Sequence, residues 1–538
     1  MTDFDADIIV VGSGCSGAMA AQTLAEGGLK VLMLDVGSKN DEYEKLIPNK
    51  DFENILETEE NQHEYFLGRK FESLNFGETS SGAQLTPPRK HLTRYVSEFL
   101  KTESDSFFPV ESLAYGGLGA GWGLGCCVYS EEEMSRCNLD YLRMNSAYEV
   151  IAERIGISAD SKDNASSYTI GNVSSHLKPL RLDESKYLQD RFSENQNNWN
   201  KKGIFLGRPA LALLSEDYKN RKACTYDDMH FYRDAGNSAY RPGLTIDELK
   251  SRSKFLYNAN QLVLKFSEKD GIVEVETWDV ILKEKKTYSA KKLVLASGAL
   301  STARIVLRSF DSSEKISFLC NPYTYYPCLN FRLTGKKIMR NKTGLAQLSV
   351  FHDKDLFHDD IAMASIYSYR SLFLFRLMNN IPLNYQDGKE LIRFLLSGMV
   401  IMGIHHPDSF DNNRFLERKV NQNSLTGDDF KMEFTLDEER KNNLIQREKL
   451  FKSLMRSLGA WALKRVDPGM GSSIHYAGTL PFNDSGKKFT LGKNGRLNGT
   501  QSVFVADSSG FNYLPAKGLT FSLMANAHTV AENILQNQ

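Results

Sequence analysis

The chain opens on a short apolar run, Ile8-Ile9-Val10-Val11, set between Asp7 and a glycine-rich turn. A run this brief and this rich in β-branched residues reads as a buried strand. The pattern then predicts a helix to about Glu26 and, after Gly27-Gly28, a second strand over residues 30–35. Strand, helix and strand in this order form a βαβ opening. Residues 39–110 are polar and charged, with Pro87-Pro88, and read as a long excursion. Residues 130–157 place Glu131, Glu132 and Glu133 ahead of apolar positions at helical spacing, which predicts a helix with acids at its positive end. The pattern weakens between 160 and 222. Over 255–290 apolar and polar residues alternate, as in Val273-Glu274-Val275-Glu276-Thr277, and antiparallel strands are expected. Residues 292–296 read as a buried strand, and 298–309 as a turn into a helix. From 310 to 465 strand and helix patterns mix, and no internal repeat stands out.

Composition changes this picture little. The chain has 538 residues, 41% hydrophobic and 25% charged, enough for more than one core. A formal net charge of −1 with interspersed signs gives no field for nucleic acid, and none is expected as a partner. Asp3, Asp5 and Asp7 are the wrong charge for a secretory start. The uncharged stretch near 394–407 is too short to span a bilayer, so no transmembrane segment is expected. Seven scattered cysteines, with only Cys126-Cys127 adjacent, predict reduced thiols and a cytoplasmic location. Apolar residues around 361–378, including Leu372 to Phe375, read as buried substrate-domain structure rather than a membrane face.

The chemistry concentrates at the two ends. Gly12-x-Gly14-x-x-Gly17 lies between the first strand and helix. The first glycine permits the turn, the second lets backbone approach a pyrophosphate, and the third allows close packing of the helix. Ser16 sits in the first helical turn, whose amides face the phosphates. Asp35 ends the second strand 18 residues beyond Gly17, where an acid binds a ribose hydroxyl and disfavours a 2′-phosphate. Tyr115 to Gly125 holds so many glycines that its backbone must pack closely against something flat or charged. Near the C-terminus come His475, Gly478-Thr479, Val505-Ala506-Asp507, and Gly518-Leu519-Thr520 ahead of a last helix.

Residues 292–307, with Ala296, Gly298 and Arg304, resemble the glucose–methanol–choline (GMC) oxidoreductase family. So do His475-x-x-Gly478-Thr479, residues 503–509 and Met524-Ala525-Asn526-Ala527, and the motifs fall in the family's order. The resemblance implies an α/β fold with an α+β substrate part. A Rossmann-like FAD-binding domain would carry a discontinuous substrate domain on a mainly antiparallel sheet. Residues 1–159, 223–309 and 466–538 would form the FAD-binding domain; 160–222 and 310–465 would form the substrate domain. It further implies that Gly12, Gly14, Ser16 and Gly17 hold the pyrophosphate and Asp35 the adenosine ribose. Gly116, Gly117, Trp122 and Gly123 would wrap the flavin together with Ala296, Gly298, Gly518, Leu519 and Thr520. Asp507 would approach the ribityl chain, and His475 would be the catalytic base. A histidine suits that task because its ordinary pKa lies close to neutrality.

Two departures qualify the resemblance. The family's second catalytic position, usually Asn or His, becomes Gly518, and Lys517 beside it is expected to stabilise an alkoxide or anionic flavin. The Trp form of residues 116–123 is nearer the pyranose oxidase and sugar-acid dehydrogenase branch. That branch implies a carbohydrate or polyol substrate. In pyranose oxidase the residue before that Trp is a histidine bonded to FAD; here it is Gly121, so FAD is expected to be noncovalent. Adjacent residues on a strand face opposite ways, so of His405 and His406 at most one is expected to face a cofactor, and neither is given a role. The reaction expected is oxidation of an alcohol, with the electron acceptor (oxygen, quinone or a protein) left open. The alternatives are a redox-neutral lyase or a catalytically inactive flavin binder on the same scaffold.

Overall fold

The structure is a computed structural model that describes residues 4–39, 43, 45–66, 68–69, 87–368 and 382–537. It is a mixed α/β protein with several sheets. The apolar segment Leu372 to Phe375 lies outside the described residues.

One sheet is organised around the strand Ala6–Val11, whose Ile8, Ile9 and Val10 are completely buried. Burial on both faces is what a continuous apolar run in a parallel sheet requires. Ala6–Val11 pairs in parallel with Val31–Leu34 on one side and with Glu284–Leu295 on the other. Val31–Leu34 in turn pairs in parallel with Phe255–Asn258. The 12-residue strand Glu284–Leu295 serves two partners in succession. Its first half makes an antiparallel ladder with Ile272–Asp279, which continues to Gln261–Lys269. Its apolar end, Leu293 to Leu295, is flanked in parallel by Val503–Val505, so a segment more than 200 residues later closes the sheet. The helices Cys15–Glu26 and Leu519–Gln536 pack against each other.

The single helix expected over 130–157 is two. Glu131–Cys137 is started by a capping box, in which Ser130 and Glu133 satisfy each other's backbone amides. It stops at Asn138, which takes the left-handed conformation at φ 60°, and Asp140 caps a new helix, Tyr141–Ile155. Side-chain chemistry at 138–140 breaks a periodicity that would otherwise continue.

A second, six-stranded sheet is antiparallel throughout. Its order is Trp461–Ala462, Tyr323–Leu329, Met399–His405, Ile361–Ser368, Leu348–Asp353 and Ile204–Gly207. Alternation gives it two distinct faces. Tyr326, Cys328, Val350, Ala364, Met402 and Ile404 point to a core shared with Phe451, Leu454 and Met455 of the helix Glu438–Ser457. Tyr323, Tyr325, Ser349, Met363, Ser365, Tyr367, Ile401 and His405 point the other way, into a cavity. No described helix is long and apolar enough to cross a membrane.

Candidate functional site

One cavity of about 1150 Å³ runs from the N-terminal glycine turn to the face of the antiparallel sheet. That exceeds the roughly 300–1,000 Å³ of pockets for drug-sized ligands. At its first end the turn is built by sterics. Gly12 adopts φ +93°, and a Cβ there would lie 2.9 Å from the Ala296 carbonyl oxygen. At Gly17 a Cβ would lie 1.9 Å from the Gly12 carbonyl oxygen, so only glycine lets the helix start this close to the strand. Gly14 differs: a Cβ would meet nothing nearer than 3.9 Å, and the open space in front of it belongs to the cavity. No side chain caps the helix Cys15–Glu26, and its first turn carries no acid. Its leading amides are therefore left for an anion.

Asp35 directly follows the second strand and lines the same cavity. Its Oδ2 accepts from the Ser13 hydroxyl at 2.5 Å and from Tyr257 at 3.0 Å. Burial raises the Asp35 carboxyl to about 6, against the hydrogen bonds from Ser13 and Tyr257 that lower it. Ser13 Oγ also accepts from the Gly116 amide at 2.9 Å, tying the glycine-rich segment to the turn.

That segment folds as a tight turn over Gly117–Gly121. Gly119 lies against Cys15 and Pro242, and Gly121 against the ends of the Leu92 and Arg89 side chains, which would have to shift to admit a Cβ. Gly117, Trp122 and Gly123 line the cavity, and the Trp122 indole donates to the Tyr240 carbonyl. Cys126 and Cys127 also line it, and all seven cysteines are free and buried. Ala296, Gly298 and Asp507 form the next stretch of wall. The Asp507 carboxylate is saturated within the protein: it accepts from the Gly298 amide, the Thr302 hydroxyl, and the Ser509 amide and hydroxyl. It pins the start of the helix Ala299–Ser309, a role the sequence did not suggest.

At the far end His475 faces the cavity. Its Nδ1 lies 3.0 Å from Oδ1 of Asn321. The Asn321 amide nitrogen is committed to three carbonyl oxygens, those of His406 (2.8 Å), Leu514 (3.2 Å) and Pro515 (3.2 Å). A flipped amide would set its oxygen against all three, so Oδ1 must be the atom that meets His475. An oxygen there accepts, so Nδ1 carries the proton and Nε2 keeps a lone pair. Burial lowers His475 to about 4, which holds the ring neutral at physiological pH. Asn321 was not legible in the sequence.

His405 belongs to the site as well. Its ring lies 5.1 Å from that of His475 at 24°, and 4.5 Å from that of Tyr323. His406 points to the opposite face, with Nε2 3.8 Å from Glu448, as strand alternation requires. The reading that gave neither histidine a role is corrected: His405 lines the cavity.

Gly518, Leu519 and Thr520 line the cavity at the start of the last helix, which has no side-chain cap. Lys517 does not line it. Its ammonium lies 2.8 Å from Glu133 and donates to the Val128 carbonyl at 3.1 Å, with both side chains almost fully buried. The expectation that Lys517 meets a substrate is therefore corrected. Glu133 sits at the start of its helix behind the cavity wall and takes up the charge. Of the other expected site residues, Ser16 lines the cavity, whereas Gly17 and Gly116 support the turn from behind.

The cavity therefore joins the uncapped amides of a helix N-terminus, a buried carboxyl and a neutral histidine with a fixed tautomer. No protein-family model matches the chain, and no curated protein matches it.

Proposed function

We propose that the cavity binds FAD noncovalently and that the protein oxidises an alcohol group, with a sugar or polyol the first substrates to try. The observation that carries this reading is the continuity of one cavity between the Gly12–Gly17 cradle and His475. The fit to a dinucleotide rests on the open space before Gly14, the uncapped helix amides and the Asp35 carboxyl at the cavity wall. When bound, FAD would supply the hydride acceptor. The turn at Gly12–Gly14 and the helix behind it would hold the pyrophosphate, and Asp35 the ribose. Gly117, Trp122, Ala296 and Gly298 would wall the ring system.

His475 would take the hydroxyl proton on Nε2, because Asn321 keeps the other ring nitrogen protonated. The imidazolium so formed stays hydrogen-bonded to the Asn321 oxygen, which supports its charge. The antiparallel sheet would cover the reacting carbon and exclude water. The seven free thiols support a reducing compartment such as the cytoplasm.

The test is an anaerobic absorbance scan of the purified protein against sugars, polyols and simple alcohols. An oxidised-flavin spectrum bleached by one of them supports the proposal. A protein that purifies without flavin and takes up none from added FAD refutes it. A flavin spectrum that no alcohol bleaches, with a carbonyl product released from a cyanohydrin, would favour the lyase reading.

A further inference from the structure

We propose that His405 is a second substrate-contacting residue, donating a hydrogen bond to the alcohol oxygen whose proton His475 removes. This rests on the reading of the cavity as an alcohol-oxidising site.

The argument begins with the register of the antiparallel sheet. Tyr323, His405 and Met363 are direct cross-strand neighbours, and all three line the cavity. Tyr323, His405 and His475 form a continuous stack of rings, at 4.5 and 5.1 Å. The stack fixes the plane of His405 and leaves its polar edge as the variable part. No described residue hydrogen-bonds to either of its ring nitrogens, and the charges that act on it are those of His475 and His406. Burial and the neighbouring His475 and His406 rings hold its pKa well below the usual value, so the ring is neutral. A neutral imidazole keeps one N–H donor, and a donor at a cavity wall with no partner among the described residues is fitted to a ligand acceptor.

At the start of the last helix the two positions beside the cavity supply no such donor. Gly518 has none, and the Lys517 ammonium is held by Glu133. Two stacked neutral imidazoles then divide the work on one oxygen. His475 Nε2 receives the proton from the breaking O–H bond. The His405 N–H stabilises the negative charge that builds on the oxygen. FAD, when bound, would supply the acceptor for the C–H electron pair as hydride, so that the alcohol would leave as a carbonyl compound.

The test compares three variants of the FAD-loaded protein: His405→Phe, which keeps a ring for the stack, His405→Asn, which keeps a donor, and His475→Ala. All three should retain the yellow flavin. With the best alcohol of the panel, His405→Phe should slow anaerobic bleaching about 100-fold or more. His405→Asn should recover most of that loss. A His405→Phe rate within threefold of the parent, while His475→Ala abolishes bleaching, would overturn the role of His405 and leave the alcohol-oxidation reading intact. Bleaching of His475→Ala at the parent rate would instead remove His475 as the base and with it this division of work, while a parent protein that no alcohol bleaches would overturn the alcohol-oxidation reading.

A second readout does not depend on turnover. In holoprotein carrying ¹⁵N-histidine, trifluoroethanol should shift a ring-nitrogen signal that disappears in His405→Phe. If that signal does not move at any trifluoroethanol concentration the fold tolerates, the inference fails.

Discussion

Replacing Lys517 by methionine separates the two roles that this residue could have. The lysine and Glu133 are 1% and 0% exposed, and their charged atoms are 2.8 Å apart. Removing one partner of a buried pair costs about 3–5 kcal/mol, because the other charge is left without compensation. Glu133 already has one buried oxygen without a partner, so nothing nearby replaces the ammonium. For a chain of this size, or for one cooperative half of it, that loss lowers the melting temperature by about 3–10 °C.

The loss depends on pH with a definite sign. Burial raises the Glu133 carboxyl above its ordinary value even with Lys517 present, and further without it. A group whose folded pKa is raised binds a proton in the native state before the unfolded chain does. The deficit of Lys517→Met should therefore shrink as pH falls below neutrality and grow as pH rises. The double variant Glu133→Gln/Lys517→Met removes both charges, while the amide oxygen introduced at that position can still accept from the Ser130 backbone N–H. It should recover most of the stability. The assay is thermal unfolding of parent, single and double variants at several pH values, beside flavin reduction rates. An unchanged melting temperature with flavin reduction lost would refute the structural role and return Lys517 to the chemistry.

Three further outcomes are expected. Gly17→Ala should purify with less than a tenth of the parent's flavin absorbance per protein, since its Cβ would stand 1.9 Å from the Gly12 carbonyl oxygen; full flavin content would contradict the proposed cradle. Asn321→Leu should keep flavin yet slow its reduction about 10- to 100-fold, the worth of roughly 1.4–3 kcal/mol of buried hydrogen bonding on the His475 tautomer; a change below twofold would remove Asn321 from the mechanism. The rate of flavin reduction should be flat above about pH 5 and fall below about pH 4, because burial lowers His475 to about 4; a limb near 6.5 would argue against His475 as base. The same depressed pKa costs stability as pH falls from about 6.5 to about 4, where the unfolded chain takes up the proton and the native ring does not.

The opening strand, its glycine turn, the following helix and the second strand were legible because their causes are local. A β-branched run, glycine spacing and an acid at a strand end act within a few residues of one another. The antiparallel character of 261–295 was legible for the same reason, from strict alternation. Alternation also predicted that His405 and His406 would part, but could not say which of them faced a cavity, since that depends on which side of the sheet the rest of the chain closes.

What only the tertiary structure decided is the polar end of the site. His475 meets Asn321 across 154 residues of chain and meets His405 across 70, and no periodicity records such pairs. Lys517 shows the converse. Its neighbours in sequence line the cavity, yet one backbone step turns its side chain behind the wall, where Glu133, almost 400 residues earlier, neutralises it. Local pattern sets which backbone conformations are accessible. Which side chains share a site is set by how the sheets and helices close on one another, through contacts whose energy exists only in the assembled fold.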